Sequence, residues 1–170
     1  MADAVRQMIK DAMAGVTDVR PAERYAPSNI ALSKYWGKRD APRNLPLNSS
    51  ISISLGEWGS HTAVAPSPDG VRALPLHIET RNTIPTAAGL ASSASGFAAL
   101  TRSLCGAFGL ELAATDLSRI ARIGSGSAAR SLWHGFVRWD KGLRDDGWDS
   151  HGTPVAVPWP AFRIAVIAVD

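Results

Sequence analysis

Serines gather where a helix should begin. In "IPTAAGLASSASG", residues 84 to 96, Pro85 disfavours helix at Ile84, Gly89 permits a tight or left-handed turn, and Ser92, Ser93 and Ser95 open the next helical pattern. The first amides of a helix have no intrahelical partner, and the helix dipole favours negative charge there. Ala87, Ala88, Gly89, Ala91 and Ala94 are small enough to let a phosphate reach that backbone, and the serine hydroxyls add donors. No Gly-Lys-Ser/Thr closes the stretch, so it is not a Walker A loop. Taken alone, it fits slightly better a helix capped by Ser92 with its alanines packed on a sheet.

Two further stretches change that balance. In "NIALSKYWGKRD", Lys34, Tyr35, Trp36, Lys38 and Arg39 form a cationic and aromatic knot, in which the rings offer an apolar wall and a phenolic donor beside the charges. In "GSGSAARS", Ser125, Ser127 and Arg130 surround a turn on which hydroxyl and backbone donors can converge. Three anion-receptive stretches in one small domain imply a ligand with more than one negative group.

The elements that must position these residues follow from periodicity. Val5, Met8, Ile9 and Met13 recur at helical spacing, which predicts an amphipathic helix over 3–14 ending near Gly15, an extension covering residues 1–20. "SISISLGEW" alternates Ile51, Ile53 and Leu55 with serines, the pattern of a half-buried strand that Gly56 breaks. "HTAVAP" and "PLHIET" read as further strands around the turn "SPDG", making a small antiparallel sheet. "SGFAALTRSLCGAFG" predicts a helix with Phe97, Leu100, Leu104 and Phe108 on one face and Gly109 as its stop. A second helix starts at an N-cap Thr115, aligns Leu117, Ile120 and Ile123, and ends at Gly124. "GFVRWD" and "FRIAVIAVD" read as strands, the second apolar enough to be central.

Composition narrows the class. With 170 residues, 45% hydrophobic and 19% charged, the chain has room for one domain with a core. A net charge of +3 with scattered cations favours a small anion over a nucleic-acid groove. The single cysteine, Cys105, excludes an internal disulfide framework and suits a helix-packing role in a reducing cytoplasm. No run approaches the length of a membrane span, and charges at Asp3, Arg6, Lys10 and Asp11 break up any signal sequence. The four histidines lack metal-ligand spacing, and "RDDGWDSHG" reads as a solvated turn rather than a metal site.

At "NIALSKYWGKRD", "NLPLNSS", "IPTAAGLASSASGFAAL" and "SRIARIGSGSAARSLWHGFVRWD" the sequence resembles the diphosphomevalonate decarboxylases of the GHMP kinase superfamily, from about Tyr25 to Asp170. The resemblance implies an α+β fold, a mixed or antiparallel sheet with helices on one face, over residues 21–170. It also implies a cytoplasmic enzyme that uses ATP and Mg²⁺ to phosphorylate the tertiary hydroxyl of mevalonate diphosphate, with loss of phosphate and CO₂ then giving isopentenyl diphosphate. Carried over by motif, Ala88, Gly89, Leu90, Ala91, Ser92 and Ser93 would bind ATP. Tyr35, Trp36, Lys38, Ser125 and Ser127 would hold the substrate diphosphate. Arg130 would grip the carboxylate with Asn29 orienting it, and Lys34 would face the transferred phosphate.

Members of that family are roughly twice as long, and their catalytic aspartate lies in a carboxyl-terminal half. No aspartate here matches its motif, so no base is assigned, and the isolated chain is expected to turn over little substrate. An exposed face left by a missing half would favour a homodimer. Two other readings stand beside this one: a kinase or decarboxylase of a mevalonate monophosphate, and a non-catalytic remnant or binding module.

Overall fold

The computed structural model describes residues 4–67, 76–84 and 90–165. In chain order these form α1 (Ala4–Met13), β1 (Ala22–Ser33), β2 (Lys38–Asp40), β3 (Leu45–Pro46), β4 (Ser50–Pro66), β5 (Leu76–Asn82), α2 (Ser92–Ala107), α3 (Ala114–Gly124), a 3₁₀ turn (Gly126–Arg130), β6 (Phe136–Trp139) and β7 (Gly152–Val155). All pairings among the described residues are antiparallel, as an α+β fold predicts.

β4 is the spine of the main sheet. β1 runs along one side of its whole length, while β6 pairs with its first residues and β5 with its last, and β7 extends the sheet beyond β6. The alternating serines thus open a strand that continues through "HTAVAP" instead of stopping at Gly56. Gly56 adopts φ +63° where the register to β1 slips between Asn29↔Ser54 and Pro27↔Gly59, so the glycine makes a bulge, not an end. The tip of that bulge is tied down by the Tyr25 hydroxyl, which donates to the Gly56 carbonyl at 2.7 Å.

Which face of β4 is buried also departs from expectation. Ser50 and Ser52 are buried and Ile51 and Ile53 only partly so, because the serine hydroxyls face a buried arginine described below. α2 covers β1 and β4 with its small residues, Ala94, Ser95, Ala98 and Ala99, while Phe97 on the predicted apolar face is 40% exposed. Small side chains let the helix lie close on the sheet, and close-packed contact is where dispersion is gained. The common core is therefore lined by Ala26, Ala98, Ala99, Ala121, Ala128 and Leu132.

α3 begins two residues earlier than predicted. Its N-cap is Ala113, and Thr115 lies within the first turn, with Asp116 placed to interact with the helix dipole. Its most buried side chains are Ser118, Arg119, Ala121 and Arg122 rather than the leucine and isoleucines. β1 and β7 were not anticipated. β1 carries Pro27 at its bulge and β7 carries Pro154, and proline weakens a strand pattern read from sequence. The predicted strand at 162–170 is not formed over 162–165, which carries no regular secondary structure, and its remaining residues lie outside those described. So does most of the turn "SPDG".

α1 packs Val5 into the interior beside α3. Cys105 is buried on α2, where burial pushes its thiol up to about 11. No helix among the described residues is long and apolar enough to cross a membrane.

Candidate functional site

A cavity of about 450 Å³ opens where β1, the start of α2 and the 3₁₀ turn meet. Asn29, Lys34 and Tyr35 line it from β1 and the loop after it, Leu90 and Ala91 from the approach to α2, and Ser127 and Arg130 from the 3₁₀ turn. Residues from all three anion-receptive stretches are thus brought together, although they lie far apart in sequence.

Arg130 is the centre of the arrangement. It is 2% exposed, and its guanidinium donates from Nε to Ser52 Oγ at 2.9 Å and from Nη1 to Ser50 Oγ. Nη2 reaches Asn29 Oδ1 only at 3.5 Å, the outer edge of hydrogen bonding, so it keeps donor capacity. The Trp139 ring lies 5.7 Å from its Cζ. Among the described residues no carboxylate pairs with it. Burial lowers its pKa to about 10, partly offset by Tyr35, so it remains cationic at neutral pH. A buried cation held by neutral acceptors and open to a cavity is suited to a carboxylate or phosphate.

Its neighbours are fixed in turn. Asn29 Nδ2 donates to Ser131 Oγ at 2.7 Å and to the Ser127 carbonyl at 3.2 Å, which aims Oδ1 at the arginine. Tyr35 packs edge-on against Trp139 with centroids 4.8 Å apart. Gly126 makes room for both rings: a Cβ there would stand 2.8 Å from Trp139 and 3.0 Å from the Tyr35 hydroxyl.

The start of α2 supplies a second set of donors. Ser93 Oγ lies 3.5 Å from Ser125 Oγ, itself 3.2 Å from Ser127 Oγ, so a line of hydroxyls joins the helix to the 3₁₀ turn. Ala91 is the N-cap and makes no side-chain cap, which leaves Ser92 free of the capping role. The cradle is less open than the sequence predicts, however. The Ser92 amide donates to the Leu90 carbonyl at 2.8 Å and the Ala94 amide to Ala91 at 3.3 Å, because the chain closes a tight turn before the helix. Ala88 and Gly89 lie outside the described residues.

Other predicted site residues stand apart. Trp36 is 75% exposed, and neither it nor Lys38, which pairs with Pro46 in the β2–β3 ribbon, lines the cavity. Arg39 instead donates to the Lys141 and Arg144 carbonyls. Conversely, Ser50, Ser52 and Trp139 were missed as supports of Arg130. The available signal was an arginine inside a small-residue turn, which must find buried acceptors somewhere.

These residues fit a nucleotide's phosphates at the hydroxyl line. They do not by themselves fit a cation, since no carboxylate lines the cavity and no cluster of three acidic, histidine or cysteine side chains occurs among the described residues. Mg²⁺ would have to arrive with the phosphates. In "RDDGWDSHG", Asp146 is held well below the usual carboxylate range by Arg144 and by the Trp148 amide, and Asp149 accepts the amides of Leu143 and Arg144. Those carboxylates close a turn.

The chain is similar to known proteins along most of its length. A diphosphomevalonate decarboxylase of Aspergillus fumigatus is 39% identical over 93% of this chain and 52% of its own. The structure of mevalonate diphosphate decarboxylase from Staphylococcus aureus superposes with a TM-score of 0.75 at 36% identity, over 81% of this chain and 50% of that one. A structure of the protein designated MDDEF, solved in complex with MVAPP, AMPPCP and magnesium, gives 0.67 at 34% identity over 81% and 51%. The chain therefore spans about half the length of the curated relatives it matches. The model of the diphosphomevalonate decarboxylase-like N-terminal domain matches residues 26–73 and 69–151, and the chain belongs to that family.

Proposed function

We propose that this chain is the substrate-binding part of an ATP-dependent mevalonate 5-diphosphate decarboxylase, an enzyme of isoprenoid synthesis. The observation that carries this reading is Arg130, a buried guanidinium supported by hydroxyls and turned to a cavity with a donor to spare.

In this reading Arg130 holds the substrate carboxylate, and Asn29 orients the guanidinium through its Oδ1. Ser127, Ser125 and Tyr35 contact the diphosphate, with Lys38 and Trp36 at its outer rim. Lys34 faces the phosphoryl group that passes from ATP to the tertiary hydroxyl. Leu90 to Ser93, preceded by Ala88 and Gly89, take the ATP phosphates, and Mg²⁺ screens their charge when bound. As phosphate departs, the electrons of the carboxylate's C–C bond form the product double bond and CO₂ leaves. Arg130 orients the carboxylate for that step, and its existing bonds to Ser50 and Ser52 moderate its hold on a charge that must disappear.

Calorimetry on the purified chain tests the proposal. The expected result is 1:1 binding of mevalonate 5-diphosphate, about tenfold tighter than of the monophosphate because each added charge gains a paired donor. Radiolabelled CO₂ release should stay at background, since no lining residue can take the hydroxyl proton as a carboxylate base. Binding of neither phosphate ester, or steeply salt-dependent retention on RNA instead, overturns it.

A further inference from the structure

A second cleft, about 280 Å³, lies at the carboxyl end of α2 and is lined by Arg24, Arg102, Cys105, Gly106, Leu110 and Leu117. It shares no residue with the cavity around Arg130. Two guanidiniums face it, and neither has a carboxylate partner among the described residues. Arg24 donates only to the neighbouring Glu23 carbonyl, whereas Arg102 donates to the carbonyls of Tyr25 and Leu132. The Nε of Arg102 is buried and makes no hydrogen bond among the described residues.

The two cations are close enough to oppose one another. Burial first, and then the charge of Arg24, hold Arg102 below the ordinary guanidinium range. Arg102 is half-buried and Arg24 exposed, so water screens much of their repulsion, and an anion that joins them removes the rest. Gly106 leaves room for the Arg24 side chain. A Cβ there would stand 3.3 Å from Arg24 Nη2 and 3.5 Å from its Cζ, so the bare glycine lets the guanidinium lie against the helix. The rest of the wall is apolar, formed by Leu110, Leu117 and the protonated Cys105.

We propose that this cleft binds a small carboxylate or phosphate monoester with a short apolar tail, the oxyanion between Arg24 and Arg102 and the tail along Leu110 and Leu117. A planar carboxylate or a phosphate can accept from the fork of Arg24 and from the Nη hydrogens of Arg102 that the Tyr25 and Leu132 carbonyls leave over, which replaces repulsion by charge-assisted hydrogen bonds.

The test is an amide-resolved NMR titration of the chain at low salt with octanoate, octyl phosphate and octanol. Both anions are expected to shift the amides of Gly106, Leu110 and Leu117, binding about tenfold more tightly than octanol. The tighter of the two identifies the oxyanion. Arg24→Gln removes one cation without touching the bonds of Arg102 and should weaken both anions about fivefold while leaving the melting temperature unchanged. Gly106→Ala keeps both charges and shifts Arg24 only slightly, and should weaken them by less, about twofold at most. Octanol binding as tightly as the anions, unaltered affinity in Arg24→Gln, or no shifts at these amides overturns the proposal. None of these outcomes bears on mevalonate diphosphate binding at Arg130.

Discussion

Arg122 and Arg130 are both fully buried guanidiniums on neighbouring helical elements, and their partners differ in kind. Arg122 donates to backbone carbonyls, those of Arg43, Gly147 and Ser150. It pins the β2–β3 ribbon and the 141–150 loop to α3. Arg130 is held by side-chain oxygens, from Ser50, Ser52 and Asn29. Carbonyls that already belong to the fold turn an arginine into a staple. Neutral hydroxyls keep one solvated in the interior while its charge remains available to a ligand.

Substitutions can break this contrast. Arg122→Met should have the largest effect, about 3 kcal/mol or more of stability, because three carbonyls, two of them buried, lose their donor. Urea unfolding measures it, and ligand affinity at matched folded fraction should be unchanged. Arg130→Met should cost less, about 1 kcal/mol, since a buried ion is removed and the Ser50 and Ser52 hydroxyls it leaves can rotate to other partners. Its affinity for mevalonate diphosphate should fall at least about fiftyfold by calorimetry, as a charged hydrogen-bond donor is lost.

Gly126→Ala sharpens the comparison by leaving Arg130 in place and pushing Tyr35 and Trp139 apart. We expect about a tenfold loss of affinity from that displacement, read in the same titration. pH gives a smaller effect. Arg130 has a folded pKa of about 10, below the ordinary guanidinium value, so its charge is lost as pH rises through that point. Affinity should therefore fall about twofold near pH 10 in wild type and by less in Arg130→Met. The same group bears its burial penalty while charged, so its contribution to stability improves above pH 10. Lys38→Ala and Trp36→Ala, which lie off the cavity lining, should change affinity least, by about twofold at most.

Much of this was legible from the chain alone. Helical period and glycine stops give α2 and its end, where Gly109 adopts φ +66°. Three serine- or lysine-bearing stretches that converge on one cavity were each readable as anion-receptive. What was not legible depends on partners far away in sequence. Alternation in "SISIS" identifies a strand, but not that its serines face inward, because that choice is made by Arg130. The apolar side of α2 was mistaken for its buried side for a similar reason: close contact with β1 and β4 selects alanine over phenylalanine. Lys38 sits among lysine and aromatic neighbours that line the cavity, yet the β2–β3 ribbon turns it away, and a ribbon of so few residues leaves little periodic signal.

The side-chain partners that hold Arg130 lie 78, 80 and 101 residues from it along the chain. Such a centre has no local precursor, since loop closure over those spans must precede every one of its contacts. On a ribosome, the emerging polypeptide would carry β1 and β4 for the whole interval before the arginine appears, with Ser50 and Ser52 meanwhile facing water. Competence to recognise an anion would then arise late and all at once, so ligand capture by nascent chains of increasing length would report completion of the fold rather than progress towards it.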